Sequence, residues 1–365
     1  MVLSSEKIQL KRKNDNYFVE GDINNILIEL YNTNFFSDIK LKVENGILIV
    51  DVKEKKIIQM DIKIINFFFN TNLIYYIKKF LSNKSNFFTY SIYNQSKFLQ
   101  KKEIVFFDKN EIVKGRDFLK KQGLKENDKI ICVHNRDKKY LKTVQPNINW
   151  DYHDYRDFSI SSMLPAIEYF LDKGYYVFRM GKITEEKLNL KHKKFLDYGN
   201  SDLRSDFNDI YLLSECHIYF GSDSGIYSTT DHFKKKVSFI NFPSINLLGR
   251  YHSDKISPTI TKLLIDKEKN KLLSIKEILQ INYDVSLKIN DLEKKNLEIV
   301  NNKSKDILNL AKEINGEYKI DDKEIEFIKN KFNKIYNEFH QNKNYKHSVP
   351  NISLSFLKEN NFLLD

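Results

Sequence analysis

Short apolar runs alternate with amphipathic stretches through the middle of the chain. Runs of β-branched and aromatic side chains predict buried strands at residues 129–133, 175–179, 195–198, 217–220 and 237–241. Apolar residues at helical spacing predict helices at residues 160–171, 205–215 and 225–233. Gly174 stands where a helix C-terminus is expected and Ser205 where an N-cap is expected. Strands that alternate with helices predict an α/β fold with a parallel, doubly wound sheet.

The flanking regions have a different pattern. Before the alternating region, β-rich runs predict strands at residues 39–43 and 46–52, and helical spacing predicts helices at residues 72–81 and 117–128, the second ending at Gly123. The most hydrophobic window, residues 60–77, is interrupted by Asp61 and Lys63, so it predicts a buried helix or strand pair rather than a membrane span. After about residue 275 the pattern predicts charged helices at residues 291–314 and 322–339 and a closing segment at 351–364.

Length and charge narrow the class of protein. At roughly 150 residues per domain, 365 residues predict two domains with an appendage. The net charge is +11, but lysine is frequent throughout, including in the polar stretches 187–194 and 267–271, so lysine serves mainly as the solvated residue. Arginine is scarce and no nucleic-acid-binding motif occurs, so no nucleic-acid partner is expected. Attraction to a membrane surface or to an anionic ligand stays open.

The cysteines and the N-terminal residues indicate a compartment. Cys132 and Cys216 cannot form a disulfide framework and lack the spacing of a zinc site, so we expect two small buried apolar residues. Residues 1–16 are polar and contain no apolar core of a signal peptide. We therefore expect a reduced, cytoplasmic protein.

Three polar clusters follow predicted strands, where a parallel sheet would bring them together. They are His134, Asn135, Arg136 and Asp137 with Tyr140; Arg179, Met180, Gly181 and Lys182; and Gly221, Ser222, Asp223, Ser224 and Gly225. Ligands of doubly wound sheets bind at the carboxyl ends of the strands. Backbone amides at a helix start, serine hydroxyls and guanidinium groups all suit an anion. Each cluster also has a structural interpretation: a buried histidine, an ion-paired arginine, or a capped turn.

Several catalytic motifs are absent from the sequence. It contains neither the phosphate-binding loop of P-loop hydrolases nor the Gly-x-Gly-x-x-Gly dinucleotide fingerprint. In the Gly221–Gly225 turn, Asp223 occupies the position that serine holds in a nucleophile elbow. No Asp-x-Asp pair occurs, which argues against the metal clamp of one large class of sugar transferases. Asp151, Asp154 and Asp157 recur at three-residue steps and favour a solvated loop over a cation site.

Several blocks, in order, resemble a family of bacterial glycosyltransferases. They are Val133-His-Asn-Arg-Asp-Lys-Lys-Tyr140, Tyr155-Arg-Asp-Phe158, Gly174-Tyr-Tyr-Val-Phe-Arg-Met-Gly181, Asp197-Tyr198, Ser205-Asp-Phe-Asn-Asp-Ile-Tyr-Leu212, Phe220-Gly-Ser-Asp-Ser-Gly225 and Ile352-Ser-Leu-Ser-Phe-Leu357. The resemblance covers residues 129–245 well and the tail weakly. More distantly, the His134–Asp137 block and the Ser222–Ser224 turn are similar to fucosyltransferases. Those relatives carry a second arginine where this chain has Asp137.

The resemblance implies a GT-B architecture of two Rossmann-like domains with parallel sheets and a helical C-terminal tail. It divides the chain into an N-terminal α/β domain on the acceptor side (1–125), a nucleotide-sugar-binding domain (126–275) and a helical extension (276–365). It also implies transfer of a sugar from a nucleotide-sugar to a glycan or lipid-linked acceptor in surface polysaccharide biosynthesis. Neither a metal nor a cofactor is expected, and peripheral contact with the inner membrane stays open.

The site residues follow from combining the clusters with this resemblance. We expect Arg136, helped by Arg179 or Lys182, to clamp the donor diphosphate, with Tyr140 and His134 beside it. Ser222, Ser224 and the Gly225 amide would bind phosphate or ribose. The base that deprotonates the acceptor would be Asp137, or Asp223 as second choice. Two alternatives stay open: a hydrolase with Asp223 as nucleophile, and a non-catalytic basic module that binds anionic glycan or nucleic acid.

Overall fold

The chain separates into two compact units, Met1–Ile62 and Lys63–Asp365. The computed structural model describes residues 6–11, 36–44, 47–54, 106–248, 256–281, 289–340 and 349–365. The predictions for residues 60–77 and 72–81 lie outside these described residues.

In the first unit, three strands form an antiparallel sheet. The strands are β1 (Glu6–Lys11), β2 (Phe36–Glu44) and β3 (Ile47–Glu54), in the order β1-β3-β2. The strands predicted at residues 39–43 and 46–52 are confirmed.

The second unit contains the alternating strands and helices. Up to residue 248 its elements are α1 (Lys109–Lys121), β4 (Ile130–His134), α2 (Lys139–Val144), α3 (Leu164–Asp172), β5 (Tyr176–Arg179), β6 (Phe195–Leu196), α4 (Asp206–Glu215), β7 (Ile218–Gly221), α5 (Ser228–His232), β8 (Lys236–Phe239) and α6 (Ile245–Leu248). Strands β4 to β8 form a five-stranded sheet in the order β6-β5-β4-β7-β8, and every neighbouring pair is parallel. This confirms the predicted α/β class.

The strand order reverses next to the central strand β4, the position at which doubly wound sheets have their ligand crevice. From β4 the chain moves outward to β5 and β6, and then returns to the other side of β4 for β7 and β8. Right-handed crossovers therefore place α3 and α4 on opposite faces of the sheet. At such a reversal, the loops that follow β4 and β7 separate, and ligands of doubly wound sheets bind there.

Local signals explain where the helices begin and end. Ser205 accepts a hydrogen bond from the Asn208 amide at 3.1 Å, which confirms the predicted N-cap. Gly174 has a φ of +85° just after α3, a conformation that glycine adopts without strain. The helix predicted over residues 117–128 begins too late, because Asp108 and Glu111 form a capping box that starts α1 at Lys109.

The helix predicted over residues 225–233 is also corrected. It begins as a 3-10 turn, Gly225–Tyr227, and is α-helical only over the five residues of α5.

A further segment extends the parallel sheet beyond β8. Isolated bridges pair Val237 with Ile256 and Phe242 with Thr261, so segment 256–262 runs parallel to β8. The Ile260 amide donates to the Phe239 carbonyl at 3.0 Å. This path places Lys262 at the same carboxyl edge of the sheet as the ends of β4 and β7.

The C-terminal region contains more strand than the helical pattern predicted. Its elements, after β9 (Leu263–Asp266), β10 (Lys271–Leu272) and α7 (Ile275–Gln280), are α8 (Ile289–Lys294), β11 (Leu297–Val300), α9 (Ser304–Ile314), α10 (Asp322–His340) and α11 (Leu354–Glu359). The single helix predicted over 291–314 is wrong, because β11 interrupts it and pairs with β9. A four-residue edge strand is too short to show a period of two against the helical spacing on either side. The helix predicted at 322–339 is confirmed as α10.

The closing residues are bound to the rest of the second unit. Ile352 forms a parallel bridge with Thr259, and the Glu313 carboxylate accepts hydrogen bonds from the Leu354 and Ser355 amides and the Ser353 hydroxyl. A carboxylate at the start of α11 satisfies amides that the helix leaves unpaired. The Ser353–Leu357 block is therefore structural.

The core follows the alternating pattern. Strands β5 and β7 are buried along their whole length. The Phe170 ring of α3 packs edge-on against the Phe220 ring of β7, with 5.2 Å between the ring centroids. Cys132 and Cys216 are buried free thiols, as predicted. Among the described residues, no helix combines the length and the hydropathy needed to cross a membrane.

Candidate functional site

The ends of β4 and β7 touch through their backbones. His134 pairs with Gly221, and the Ser222 amide donates to the His134 carbonyl at 2.9 Å. A Cβ atom on Gly221 would lie 2.2 Å from that carbonyl oxygen, so only glycine permits this approach. The loop that follows His134 and the Ser222–Gly225 turn therefore begin side by side at the crevice.

A third segment joins these two loops. The 3-10 helix Asp151–Arg156 crosses the carboxyl edge, and the two residues at its end form ion pairs with the two loops. Asp157 pairs with Arg136, and Arg156 pairs with Asp223, whose carboxylate lies 3.2 Å from Arg156 Nη2. Arg156 also donates to the Asp223 carbonyl.

Lys262 reaches the same site from segment 256–262, next to β8. Its ammonium group donates to the Asp157 carbonyl at 2.9 Å and to Asn301 Oδ1 at 2.6 Å. Only 5% of this residue is exposed. We refer to Arg136, Arg156, Asp157, Asp223 and Lys262 as the switch-point cluster.

Burial shifts the pKa values of two members of the cluster, Lys262 and Asp157, towards their neutral forms. The pKa of Lys262 is lowered from 10.5 to about 7, mainly by burial and also by Arg136 and Arg156, while Asp157 acts in the opposite direction. The pKa of Asp157 is raised to about 6, mainly by burial and also by Asp154, while Arg136 and Lys262 act in the opposite direction. The cluster therefore combines three basic groups, Arg136, Arg156 and Lys262, with the carboxylates of Asp157 and Asp223.

Several polar atoms of the cluster are buried without a hydrogen-bond partner among the described residues. They include Arg156 Nε and Asp157 Oδ2. Arg156 Nε is a donor and suits an added anion, whereas Asp157 Oδ2 is an acceptor that an anion would have to displace.

The serine turn contributes further unused groups. The hydroxyl oxygens of Ser222 and Ser224 are buried without a hydrogen-bond partner of ordinary geometry among the described residues. The neighbouring Tyr219 phenol donates instead to the Ser222 carbonyl at 2.9 Å. Gly225 is exposed at the start of a 3-10 turn, and nothing lies within 4 Å of where its Cβ would be.

His134 is held in one neutral form. Its Nδ1 lies 3.2 Å from the Met180 carbonyl oxygen, which can only accept, so Nδ1 carries the proton and Nε2 the lone pair. Burial lowers the pKa of His134 to about 4. At neutral pH it can accept a hydrogen bond from a ligand hydroxyl, but it is too weakly basic to be an effective proton acceptor.

The structure places Arg179 away from the crevice surface. Its guanidinium is fully buried and donates to Thr184, the Glu186 carbonyl, Asp197 and Asn135. Its Nε is the one nitrogen without an acceptor among the described residues. Those contacts tie the ends of β4 and β5 to the loop between β5 and β6, which is a structural arrangement.

The remaining predicted residues lie around the cluster rather than in it. The Asp137 carboxylate accepts hydrogen bonds from the Lys139 and Glu185 amides, both at 3.0 Å, and so joins two loops. Lys182 and Tyr140 are exposed. Lys182 is close enough to Asp206 to lower the pKa of that carboxyl, after the larger effect of Arg204.

Sequence reasoning selected Arg136 and Asp223 but missed Arg156, Asp157 and Lys262 as a group. Arg156 and Asp157 follow a 3-10 helix rather than a strand, so the rule that selects strand ends did not reach them. Lys262 follows Thr259, Ile260 and Thr261, a β-branched run that could have been recognised as a strand. Asp151 pairs instead with Lys142 at 2.7 Å.

A metal centre and a nucleophile elbow both receive little support from the geometry. Within the described ranges, no group of three or more histidine, cysteine, aspartate or glutamate side chains is arranged to hold a metal ion. Asp223 is 8% exposed and ion-paired with Arg156, and the short 3-10 turn after it differs from the helix that follows a nucleophile elbow.

Known proteins provide no further constraint. Comparison of the chain with family models, with curated proteins and with solved structures gives no match. The switch-point cluster is therefore the basis for the functional proposal.

Proposed function

We propose that this chain is a glycosyltransferase that binds the diphosphate of a nucleotide-sugar at the switch-point cluster, without a metal. One observation carries the proposal: Arg136, Arg156 and Lys262 come from three separate parts of the sequence to the crevice of a parallel sheet. Diphosphates are the ligands for which such sheets place cations and backbone amides at that crevice.

The chemistry of sugar transfer suits this charge. The bond between the anomeric carbon and the diphosphate oxygen breaks, and its electron pair leaves with the diphosphate. A new bond forms between the anomeric carbon and an acceptor hydroxyl oxygen, whose proton passes to a carboxylate. Fixed cations that stabilise the negative leaving group lower the barrier, so Arg136, Arg156 and Lys262 can supply what a metal supplies elsewhere.

The structure changes the order of preference among the other residues. Asp223 belongs to the cluster, whereas both oxygens of Asp137 accept backbone amides, so we take Asp223 as the first choice of base. Ser222, Ser224 and the Gly225 amide remain the proposed ligands for phosphate or ribose. Arg179 is proposed to support the site by holding Asn135 rather than to touch the donor.

The finer assignments belong to the same proposal. They are a two-domain GT-B transferase with residues 1–125 on the acceptor side, a glycan or lipid-linked acceptor, and a role in surface polysaccharide synthesis at the cytoplasmic face of the membrane. The ordered blocks that resemble bacterial glycosyltransferases support them.

The first experiment is a thermal-shift panel of nucleoside diphosphates with and without EDTA. One nucleotide should raise the melting temperature by several degrees, since a ligand at 100 times its dissociation constant adds about 2.7 kcal/mol, and EDTA should not change this. Arg136→Ala should abolish the shift. Arg204→Ala, which removes an ion-paired arginine outside the cluster, should retain it.

Turnover then distinguishes a transferase from a binding module. With the matching nucleotide-sugar, release of the diphosphate should depend on an acceptor and fall about 100-fold or more in Arg136→Ala. Diphosphate release without any acceptor would favour the hydrolase. Binding that disappears with salt and survives Arg136→Ala would favour the basic module.

A further inference from the structure

The cations of the switch-point cluster are already occupied by the protein's own carboxylates. Asp157 is paired with Arg136, Asp223 is paired with Arg156, and the Asp157 carbonyl holds Lys262. A phosphate that binds these cations must replace at least some of these contacts.

Asp157 is the less well held of the two carboxylates. Its Oδ2 is buried without a hydrogen-bond partner among the described residues. Its side chain is more exposed than that of Asp223, 18% against 8%. Asp223 also belongs to a turn fixed directly to β7, whereas Asp157 lies at the end of the 3-10 helix Asp151–Arg156.

We propose that Asp157 is an internal competitor of the anionic ligand: in the unliganded chain its carboxylate occupies Arg136, and binding of a diphosphate displaces that carboxylate. This inference rests on the proposed function, because it concerns the same anion site. It assigns Asp157 a restraining role, opposite to that of a ligand-binding or catalytic residue.

An unused donor of the cluster supports this exchange. Arg156 Nε has no acceptor among the described residues while Asp157 is in place. A diphosphate presents several oxygens to this nitrogen, to Lys262 and to Arg136 at once, whereas one carboxylate cannot reach them all. The charges that face Asp157 are Arg136 and Lys262 on one side and Asp154 on the other, so its displacement also removes a repulsion between carboxylates.

The test measures binding of inorganic pyrophosphate by isothermal titration calorimetry to the full chain. Asp157→Asn should bind at least about tenfold more tightly than the wild type, because a competing charge is gone while the shape is kept. Asp151→Asn is the matched control, since it removes one charge from the same 3-10 helix where the side chain is 60% exposed. Its affinity should stay within about twofold of the wild type.

A measurement on the wild type covers the case in which Asp157→Asn does not fold. Saturating pyrophosphate should speed hydrogen exchange of the Asp157 amide, which donates to the Asp154 carbonyl, and of the Phe158 amide, which donates to the Arg136 carbonyl. Unchanged or slower exchange there would overturn the inference.

The outcomes separate this inference from the proposed function. If the wild type binds pyrophosphate and Asp157→Asn binds it equally or less tightly, the competitor role is wrong and the anion site stands. If no form binds pyrophosphate, both are wrong. If Asp157→Asn gains affinity but no nucleotide-sugar is turned over, the competitor role stands and the transferase assignment falls.

Discussion

Arg136 lies two residues after β4 and Arg179 ends the neighbouring strand β5, and the sequence predicted that both would bind the donor diphosphate. The structure surrounds them differently. Four protein groups accept hydrogen bonds from Arg179, which has no exposed surface. Arg136 instead shares a cluster with two other basic side chains, Arg156 and Lys262, at the carboxyl edge of the sheet. An arginine that donates to four protein groups at once is structural, whereas several basic side chains gathered at a strand-order reversal indicate a ligand site.

The strongest test of this contrast removes the cation at Arg179. Arg179→Met leaves Asp197 largely buried without its cation, so the free energy of unfolding should fall by about 3–5 kcal/mol. Lys173→Met is the control, because it removes an ion pair with Glu317 in which both side chains are more than a third exposed. That change should cost at most about 1 kcal/mol. Equal losses in denaturant titrations would contradict the structural role of Arg179.

The second test concerns the glycines at the two ends of the serine turn. Gly221→Ala should destabilise the protein by about 1–3 kcal/mol or more, since the added methyl meets the His134 backbone. Gly225→Ala has open space and should change stability by no more than about 0.5 kcal/mol. Denaturant unfolding of the pair measures whether the β4–β7 contact holds the crevice together. Equal stabilities would show that it does not.

The third test measures how the stability of the protein depends on the protonation of Lys262. The pKa of Lys262 is lowered to about 7 in the folded chain, from 10.5, so between these values the unfolded chain binds more protons. This contribution to stability is present at high pH and is lost as pH falls through 7. The wild type should therefore gain about 1–2 kcal/mol relative to Lys262→Met between pH 7 and about pH 9. If the free energy of unfolding depends on pH in the same way in both proteins, the pKa of Lys262 is not lowered in the folded chain.

The fold was predictable where local pattern dominates. Strands β4, β5 and β7 are largely apolar because both faces of a parallel sheet are covered, and Gly174 and Ser205 mark helix ends through local backbone chemistry. Segment 256–262 and β11 were missed. They pair at sheet edges, where tertiary neighbours decide the conformation of a short segment.

What the sequence determined by itself was the α/β alternation and the placement of Arg136, Ser222 and Asp223 at strand ends, because period and chain order are local properties. Only the tertiary structure decided that Arg156, Asp157 and Lys262 join them and that Arg179 does not. Lys262 lies 105 residues from Asp157 along the chain, and no local pattern records such a contact. Burial and pairing set the charge states there, and both depend on neighbours that folding alone brings together.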